Sequence, residues 1–230
     1  SRKAILVTPE ICIGCRACQV ACKSWNQLPA SKTKNNGTYQ NPPDLESNTF
    51  NIIRFAEVPS QETPVRWLFV SRRCMHCEDA GCVKICPSGA LYKTAEGAVA
   101  YNRDKCIGCK LCSTGCPFDV PRVSKITHKS KKCTLCSDRV AVGQGPACAK
   151  ACPTQAIVFG TKAEMILHAE GRVEDLKSRG YENAGIYDPQ GVGGTQVMYV
   201  LHHADQPSLY AGLPDEPRIS PQVEGWKGSA

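Results

Sequence analysis

Aromatic side chains are scarce in this sequence: Phe, Trp and Tyr make up 7% of its 230 residues. A chain of this length normally draws much of its core from them, so something else must fill the interior. No run approaches the roughly eighteen consecutive apolar residues of a transmembrane helix, which excludes one within this sequence. The opening stretch, SRKAILVTPEI, has basic residues but no sustained apolar run, so no secretory leader is read there. A phosphate-binding loop is missing too. The glycines of GVGGT (191–195) do not lead from a strand into a helix with G-x-G-x-x-G spacing. No Ser–His–Asp set and no cleft-lining carboxylate pair is visible, so the chain has no catalytic chemistry of its own.

What the sequence has in excess is cysteine, sixteen in all. Disulfide-dense chains are usually much shorter and rarely repeat C-x-x-C so regularly, which argues against cross-links. The sixteen sort into four groups of four with none left over. Cys12, Cys15, Cys18 and Cys22 follow C-x2-C-x2-C-x3-C. Cys74, Cys77, Cys82 and Cys86 follow C-x2-C-x4-C-x3-C, and Pro87 comes next. Cys106, Cys109, Cys112 and Cys116 repeat the first spacing and end in Pro117. Cys133, Cys136, Cys148 and Cys152 span an x11 gap and end in Pro153. All-cysteine zinc sites usually join two C-x2-C knuckles, and do not use four cysteines in eleven residues. The pattern points to iron–sulfur clusters.

The spacing has a mechanical reason. Cysteines two residues apart in a tight loop aim three thiolates at three corners of one cube. Gly14 and Gly108, in the two CIGC stretches, let the backbone come close and donate amide hydrogens to sulfur. In bacterial two-cluster ferredoxins the fourth cysteine ligates the neighbouring cluster. The second and third motifs are close in sequence, so they exchange fourth ligands, leaving the first and fourth to do the same. The expected quartets are Cys12, Cys15, Cys18 and Cys152; Cys22, Cys133, Cys136 and Cys148; Cys74, Cys77, Cys82 and Cys116; and Cys86, Cys106, Cys109 and Cys112. Four oxidised clusters with their thiolates carry about −8 in total. The formal net charge of +7 is then compensation for buried anions, not a nucleic-acid-binding face.

The expected architecture is α+β: two ferredoxin-like modules of two 4Fe-4S clusters each, one inserted in the other. Residues 1–70 plus 125–180 form the first module and 71–124 the inserted one. Residues 181–230 are read as an extended C-terminal arm for partner contact. FNIIRFAEV, VRWLFVSRR, GAVAYNR and AIVFGT read as strands. Between the first motif and these strands lies a polar loop, PASKTKNNGTYQNPPD. TKAEMILHAEGRVEDLKSRG reads as a helix, with a Thr161/Glu164 capping box and Ile166, Ala169, Val173 and Leu176 on one face. Lys177 and Arg179 occupy its last turn, and Gly180 follows. His202 and His203 are adjacent and point apart, which suits hydrogen-bonding roles better than metal ligation. His76 is expected to order its loop around a cluster.

The stretches CIGCRACQVACKSWN, CMHCEDAGCVKICPSGA, CIGCKLCSTGCPFDVPR and KKCTLCSDRVAVGQGPACAKACPTQAI resemble the iron–sulfur subunits of molybdenum/tungsten bis-pterin oxidoreductases. The tail, RGYENAGIYDPQGVGGTQVMYVLHHADQPSLYAGLP, is similar to that of the β subunit of respiratory, formate dehydrogenase-N-like enzymes. The resemblance implies a large catalytic partner carrying molybdo- or tungsto-bis-pterin guanine dinucleotide. It implies four 4Fe-4S clusters here, reached by electrons in the order Cys12/Cys15/Cys18/Cys152, Cys22/Cys133/Cys136/Cys148, Cys74/Cys77/Cys82/Cys116 and Cys86/Cys106/Cys109/Cys112. It also implies a periplasmic location, reached with a twin-arginine-tagged catalytic subunit, and a cytochrome acceptor. Membrane-bound relatives continue past a WKG-like stretch into an anchor helix that meets a cytochrome b subunit. This sequence reads VEGWKGSA and stops, so either it belongs to a soluble enzyme passing electrons to a multihaem c-type cytochrome, or the anchor leading to a membrane cytochrome b subunit is missing from it. The same motifs fit the equivalent subunit of another bis-pterin reductase or hydrogenase, and a stand-alone polyferredoxin. The polar excursion and long tail argue against the last.

Overall fold

The structure, a computed structural model, describes residues 1–35, 37–58, 65–210 and 212–226. The Lys227–Ala230 end of the VEGWKGSA stretch lies outside them. In chain order the strands are β1 (Lys3–Val7), β2 (Ile52–Val58), β3 (Arg66–Arg72), β4 (Leu91–Lys93), β5 (Val99–Tyr101), β6 (Arg122–Val123), β7 (Ser130–Lys131), β8 (Ile157–Thr161), β9 (Gly185–Tyr187) and β10 (Val197–Leu201). The helices are α1 (Ala17–Trp25), α2 (Gly81–Lys84), α3 (Leu111–Thr114), α4 (Ser137–Ala141), α5 (Ala147–Lys150), α6 (Lys162–Ser178) and α7 (Pro221–Gly225). Five of these helices are a single turn or little more, and four of them, α2 to α5, lie within cysteine motifs that redirect the chain. The content is mixed α and β, as expected.

One four-stranded sheet, ordered β8-β1-β10-β9, organises the molecule. β1 pairs antiparallel with β8 and parallel with β10, and β10 pairs antiparallel with β9. Successive residues of β1 and β10 face opposite sides. Ala4, Leu6, Met198 and Val200 form one apolar layer with α6, whereas Ile5, Val7, Val197, Tyr199 and Leu201 join the main core. That main core contains Cys18, Cys74, Cys77, Cys82, Cys112 and Cys148 as buried members. The thiols therefore take the place that aromatic side chains hold elsewhere. Three hairpin-like pairs, β2–β3, β4–β5 and β6–β7, carry the remaining strands.

Residues 181–230, expected as an extended arm, do something different. Gly185–Tyr187 and Val197–Leu201 are strands of the central sheet, and VMYVL is buried along its whole length. Such a strand shows no polar alternation, because both its faces are covered. The GVGGT turn before it clasps the second cysteine motif. The Glu78 and Asp79 amides donate to the carbonyls of Gly194 and Val192, and the Gln196 and Val197 amides donate to that of Met75. Between His202 and Trp226 the described residues pack on the protein's own surface. Tyr210 is fully buried there, and Lys84 of α2 pairs with Glu224 of α7 at 2.8 Å.

The α6 reading holds in detail. Thr161 caps the helix by accepting from the Glu164 amide at 3.2 Å, and the Glu164 carboxylate accepts from the Thr161 amide at 2.8 Å. Gly180 follows with φ +90°. Leu176 is completely buried, so its side chain contributes about 1.5–3 kcal/mol by burial. Leu176→Ala is expected to cost about 2–5 kcal/mol and lower Tm. Because this layer faces away from the cysteines, iron content measured on the same samples should stay at the wild-type value.

Candidate metal centres

The structure gathers thiols from motifs far apart in sequence, and none of the sixteen is in a disulfide. Cys22, from the second turn of α1, lines one cavity with Cys133, Cys136 and Cys148, together with Asn26, Asn51 and Arg73. Cys86, Cys106, Cys109 and Cys112 line a second cavity. Each encloses about 340 Å³ of space between atoms, partly open to solvent. The thiols ring a space and not a point. Among the described residues no three His, Cys, Asp or Glu side chains converge tightly enough for a single metal ion.

The like-charge neighbours of each thiol trace the other groupings. Cys12 feels Cys152 and Cys15 most strongly; Cys77 feels Cys74, Cys116 and Cys82; Cys112 feels Cys106, Cys109 and Cys86. Other influences run between these groups, and for Cys18 and Cys133 they exceed those from within the group. Cys18 feels Cys148, Cys133 feels Cys74, and Cys82 feels Cys112. The groups thus lie in a row, with the Cys12 group at one end and the Cys112 group at the other. At the two ends Cys15 and Cys109 are exposed, beside exposed Ile13 and Ile107.

A recurrent backbone device shapes every motif. The second residue inside each leading C-x-x-C has positive φ: Gly14 (+67°), His76 (+52°), Gly108 (+75°) and Leu135 (+59°). That turn points an amide back at the first cysteine. The His76 amide donates to Cys74 Sγ at 3.5 Å, and the Leu135 amide to Cys133 Sγ at 3.4 Å. The Gly14 amide does the same for Cys12. A second device follows three of the four closing cysteines. Gly89, Asp119 and Gln155, each three residues on, also have positive φ and donate to the carbonyls of Cys86, Cys116 and Cys152. Cys22 lacks this turn because Lys23 and not proline follows it, and α1 runs on to Trp25.

Sequence reasoning identified Gly14 and Gly108 but not His76 or Leu135. For a buried leucine, the left-handed region costs on the order of 1–3 kcal/mol, so the surroundings must over-determine it. His76 does order its loop. Its Nδ1 accepts from the Val99 amide at 3.0 Å, leaving Nε2 to carry the proton 3.5 Å from Cys133 Sγ. His202 is buried against Tyr181 and Tyr210, and burial above all pulls its pKa down to about 4. That is a packed, neutral histidine.

Burial pushes most of the interior thiols up: Cys18, Cys116 and Cys136 to about 11, Cys133 to about 12, and Cys22, Cys77 and Cys82 higher still. Thiols in such surroundings become thiolates only when a cation meets them, as an iron core does. Polar groups already point at the sulfurs. The Ser130 amide donates to Cys106 Sγ at 3.3 Å, Ser130 Oγ lies 3.2 Å from Cys112 Sγ, and Asn26 Nδ2 lies 3.7 Å from Cys22 Sγ. At Cys86, burial is outweighed by hydrogen bonds from the Leu91 amide and the Ser88 hydroxyl and amide region, and its pKa falls. Two buried donors beside the Cys22 cavity, Arg73 Nε and Asn51 Nδ2, have no acceptor within the protein. Orphaned donors aimed at a thiol-lined space are what a sulfide-bearing core satisfies, so the residues fit the group.

Short single-turn helices, amide-donating cysteine loops and thiol-lined cavities define an iron–sulfur protein of the ferredoxin-like, two-cluster-domain class. Two family profiles, both described as 4Fe-4S dicluster domain, match residues 11–90 and 65–162. The chain is 54% identical over 227 residues to the nitrate-inducible formate dehydrogenase iron-sulfur subunit of Escherichia coli K12, covering 98% of this chain and 77% of that protein. It is 54% identical over 226 residues to the formate dehydrogenase-O iron-sulfur subunit of the same organism, covering 98% and 75%. It is 37% identical over 207 residues to formate dehydrogenase 2 subunit beta (cytochrome c-553) of Nitratidesulfovibrio vulgaris, covering 86% and 93%. The chain belongs to the family of formate dehydrogenase iron–sulfur subunits, and it is an electron-transfer subunit, not the catalytic one.

Gly108 offers a direct test of the loop geometry. A Cβ there would lie 2.1 Å from the His128 carbonyl oxygen, and φ is +75°. Gly108→Ala is expected to cost at least about 1–3 kcal/mol and to lower the iron content of the protein. Iron analysis combined with a Tm measurement reads both effects.

Proposed function

We propose that this chain is a four-station electron relay, each cysteine quartet holding one 4Fe-4S cluster. The observation that carries the reading is Cys22 sharing a cavity with Cys133, Cys136 and Cys148, residues more than a hundred positions away. A 4Fe-4S core with four thiolates supplies one-electron redox capacity and no open coordination position. The chain's residues do the rest. Cysteines hold each site, backbone amides at the positive-φ turns donate to sulfur, and the apolar core keeps water from the inner stations. The quartets are Cys12, Cys15, Cys18 and Cys152; Cys22, Cys133, Cys136 and Cys148; Cys74, Cys77, Cys82 and Cys116; and Cys86, Cys106, Cys109 and Cys112. The close α1–α5 and α2–α3 pairings support one two-cluster module, 71–124, set within another formed by 1–70 and 125–180.

On this reading, electrons released by formate oxidation on a large molybdenum- or tungsten-bis-pterin subunit arrive at the Cys12 station. They leave from the Cys106 station to a cytochrome. The row of thiol groups and the exposure of Cys15 and Cys109 at its ends support travel between two docking faces; the direction rests on the family resemblance. The printed name of the Nitratidesulfovibrio relative, with its cytochrome c-553, supports a cytochrome acceptor. Among the described residues no helix is long and apolar enough to cross a membrane. A periplasmic location, reached with a twin-arginine-tagged catalytic subunit, goes with the same reading.

Two experiments test it. Anaerobic purification with the native partner is expected to give about sixteen irons per chain, a molybdenum- or tungsten-containing large subunit and formate-dependent dye reduction. Isolation as an active monomeric shuttle would sink the proposal. Cys22→Ser is expected to damage the cluster of Cys133, Cys136 and Cys148 and remove about four irons at most. If resonance spectra instead show loss only at the Cys12 site, the ligand exchange is wrong.

A further inference from the structure

Arg73 is an unusual residue for its place. It lies between the end of β3 and Cys74, and it is only 2% exposed. Among the described residues no carboxylate pairs with it. Its Nη1 donates to Cys148 Sγ at 2.9 Å, and its Nη2 donates to the Ser71 hydroxyl. Ser71 Oγ in turn donates to Asn51 Oδ1 at 2.6 Å, so the guanidinium is held in one orientation. Its Nε has no acceptor, and the side chain lines the cavity of Cys22, Cys133, Cys136 and Cys148. A buried guanidinium without a carboxylate costs several kcal/mol of desolvation unless other negative charge offsets it. The negative charge available to it is on sulfur.

Two other basic side chains, buried Lys132 and half-buried Lys93, are spent differently. Lys132 Nζ donates to the carbonyls of Val99 and Cys133 at 2.5 and 2.8 Å, and Lys93 Nζ to that of Cys77 at 2.7 Å. These brace the backbone of the cysteine loops. Arg73 instead gives an N–H to a thiol that belongs to the second station of the proposed row.

We infer that Arg73 is a potential-setting residue for the Cys22/Cys133/Cys136/Cys148 station, an inference that rests on the quartet reading above. One electron arriving from the Cys12 station adds one negative charge to this site, and the same electron leaves toward the Cys74 station. A guanidinium is always protonated, so its charge and its N–H donation stabilise the reduced form more than the oxidised one. The site is thereby held at a higher potential than its buried thiolates alone would set, which keeps it reducible despite desolvation.

The test uses the complex with its catalytic partner and a redox titration followed by paramagnetic resonance. In the wild type, four titrating clusters and about sixteen irons uphold the quartet reading; fewer clusters overturn that reading, whatever Arg73 does. In Arg73→Gln, with iron unchanged, one station is expected to lose at least about tenfold in its reduced-to-oxidised ratio, about 59 mV for a one-electron couple. Arg73→Lys keeps the charge but not the fork, so the same station should fall by about twofold to tenfold. An unchanged set of potentials in Arg73→Gln, an equal shift at all four stations, or a lysine variant as low as the glutamine one each overturns the inference. Should Arg73→Gln assemble fewer clusters, Arg73→Lys decides alone: a fall confined to that station supports the role, and no fall refutes it.

Discussion

Putting thiolate charge into a dry interior is the constraint on which the rest of this structure depends. A buried thiol resists ionisation, and Cys22, Cys77 and Cys82 are pushed far above their usual range by burial. Iron supplies most of the compensating charge; the protein must supply what remains. It does so with amides turned back by positive-φ residues, with hydroxyls such as Ser130, and with buried Arg73 and Lys132. The basic surplus of the sequence is the same compensation seen from outside.

The proposed ligand exchange accounts for the topology. If the closing cysteine of each motif serves the neighbouring site, α1 must lie against α5 and α2 against α3, which is how they are arranged. The second contact is close enough to require glycine. A Cβ on Gly81 would lie 2.4 Å from the Gly115 carbonyl oxygen. The central sheet then holds the two ends of the chain to this core. β1, only a few residues before Cys12, pairs with β8, just after Cys152, and with β10 near the other end. Metal–thiolate bonds and sheet hydrogen bonds therefore close the same long loops, and each reduces the entropy the other must overcome.

The metal chemistry was legible because it depends on residue type and spacing alone. So was α6, whose capping box and apolar stripe are local signals. The central sheet was not. KAILV was passed over as a short apolar opening, and VMYVL was absorbed into a presumed arm, because strands covered on both faces lack alternation. Their pairing is also non-local, with Ile5 opposite Val197. The left-handed backbone of His76 and Leu135 escaped notice for another reason. Glycine announces a left-handed turn, but a histidine and a leucine adopt one only when tertiary contacts force it, here the Val99 amide on His76 and complete burial of Leu135. Arg73 in the sequence is one basic residue in SRRC; only packing turns it inward while Arg72 reaches Asp44.

The row of quartets is also graded by solvent. The end groups each expose a cysteine, Cys15 and Cys109, while every thiol of the Cys22 group is buried or nearly so. Exposure at the ends is what a relay needs, since tunnelling to a partner requires close approach, and isoleucines at both surfaces suit contacts that exclude water. Burial in the middle carries a liability. Desolvation disfavours the added charge of the reduced state and would turn an inner station into a barrier. A fixed buried cation removes that barrier without opening a path for water. This is why a guanidinium with no carboxylate partner is tolerated beside Cys148: the charge that balances it is the charge that arrives with each electron.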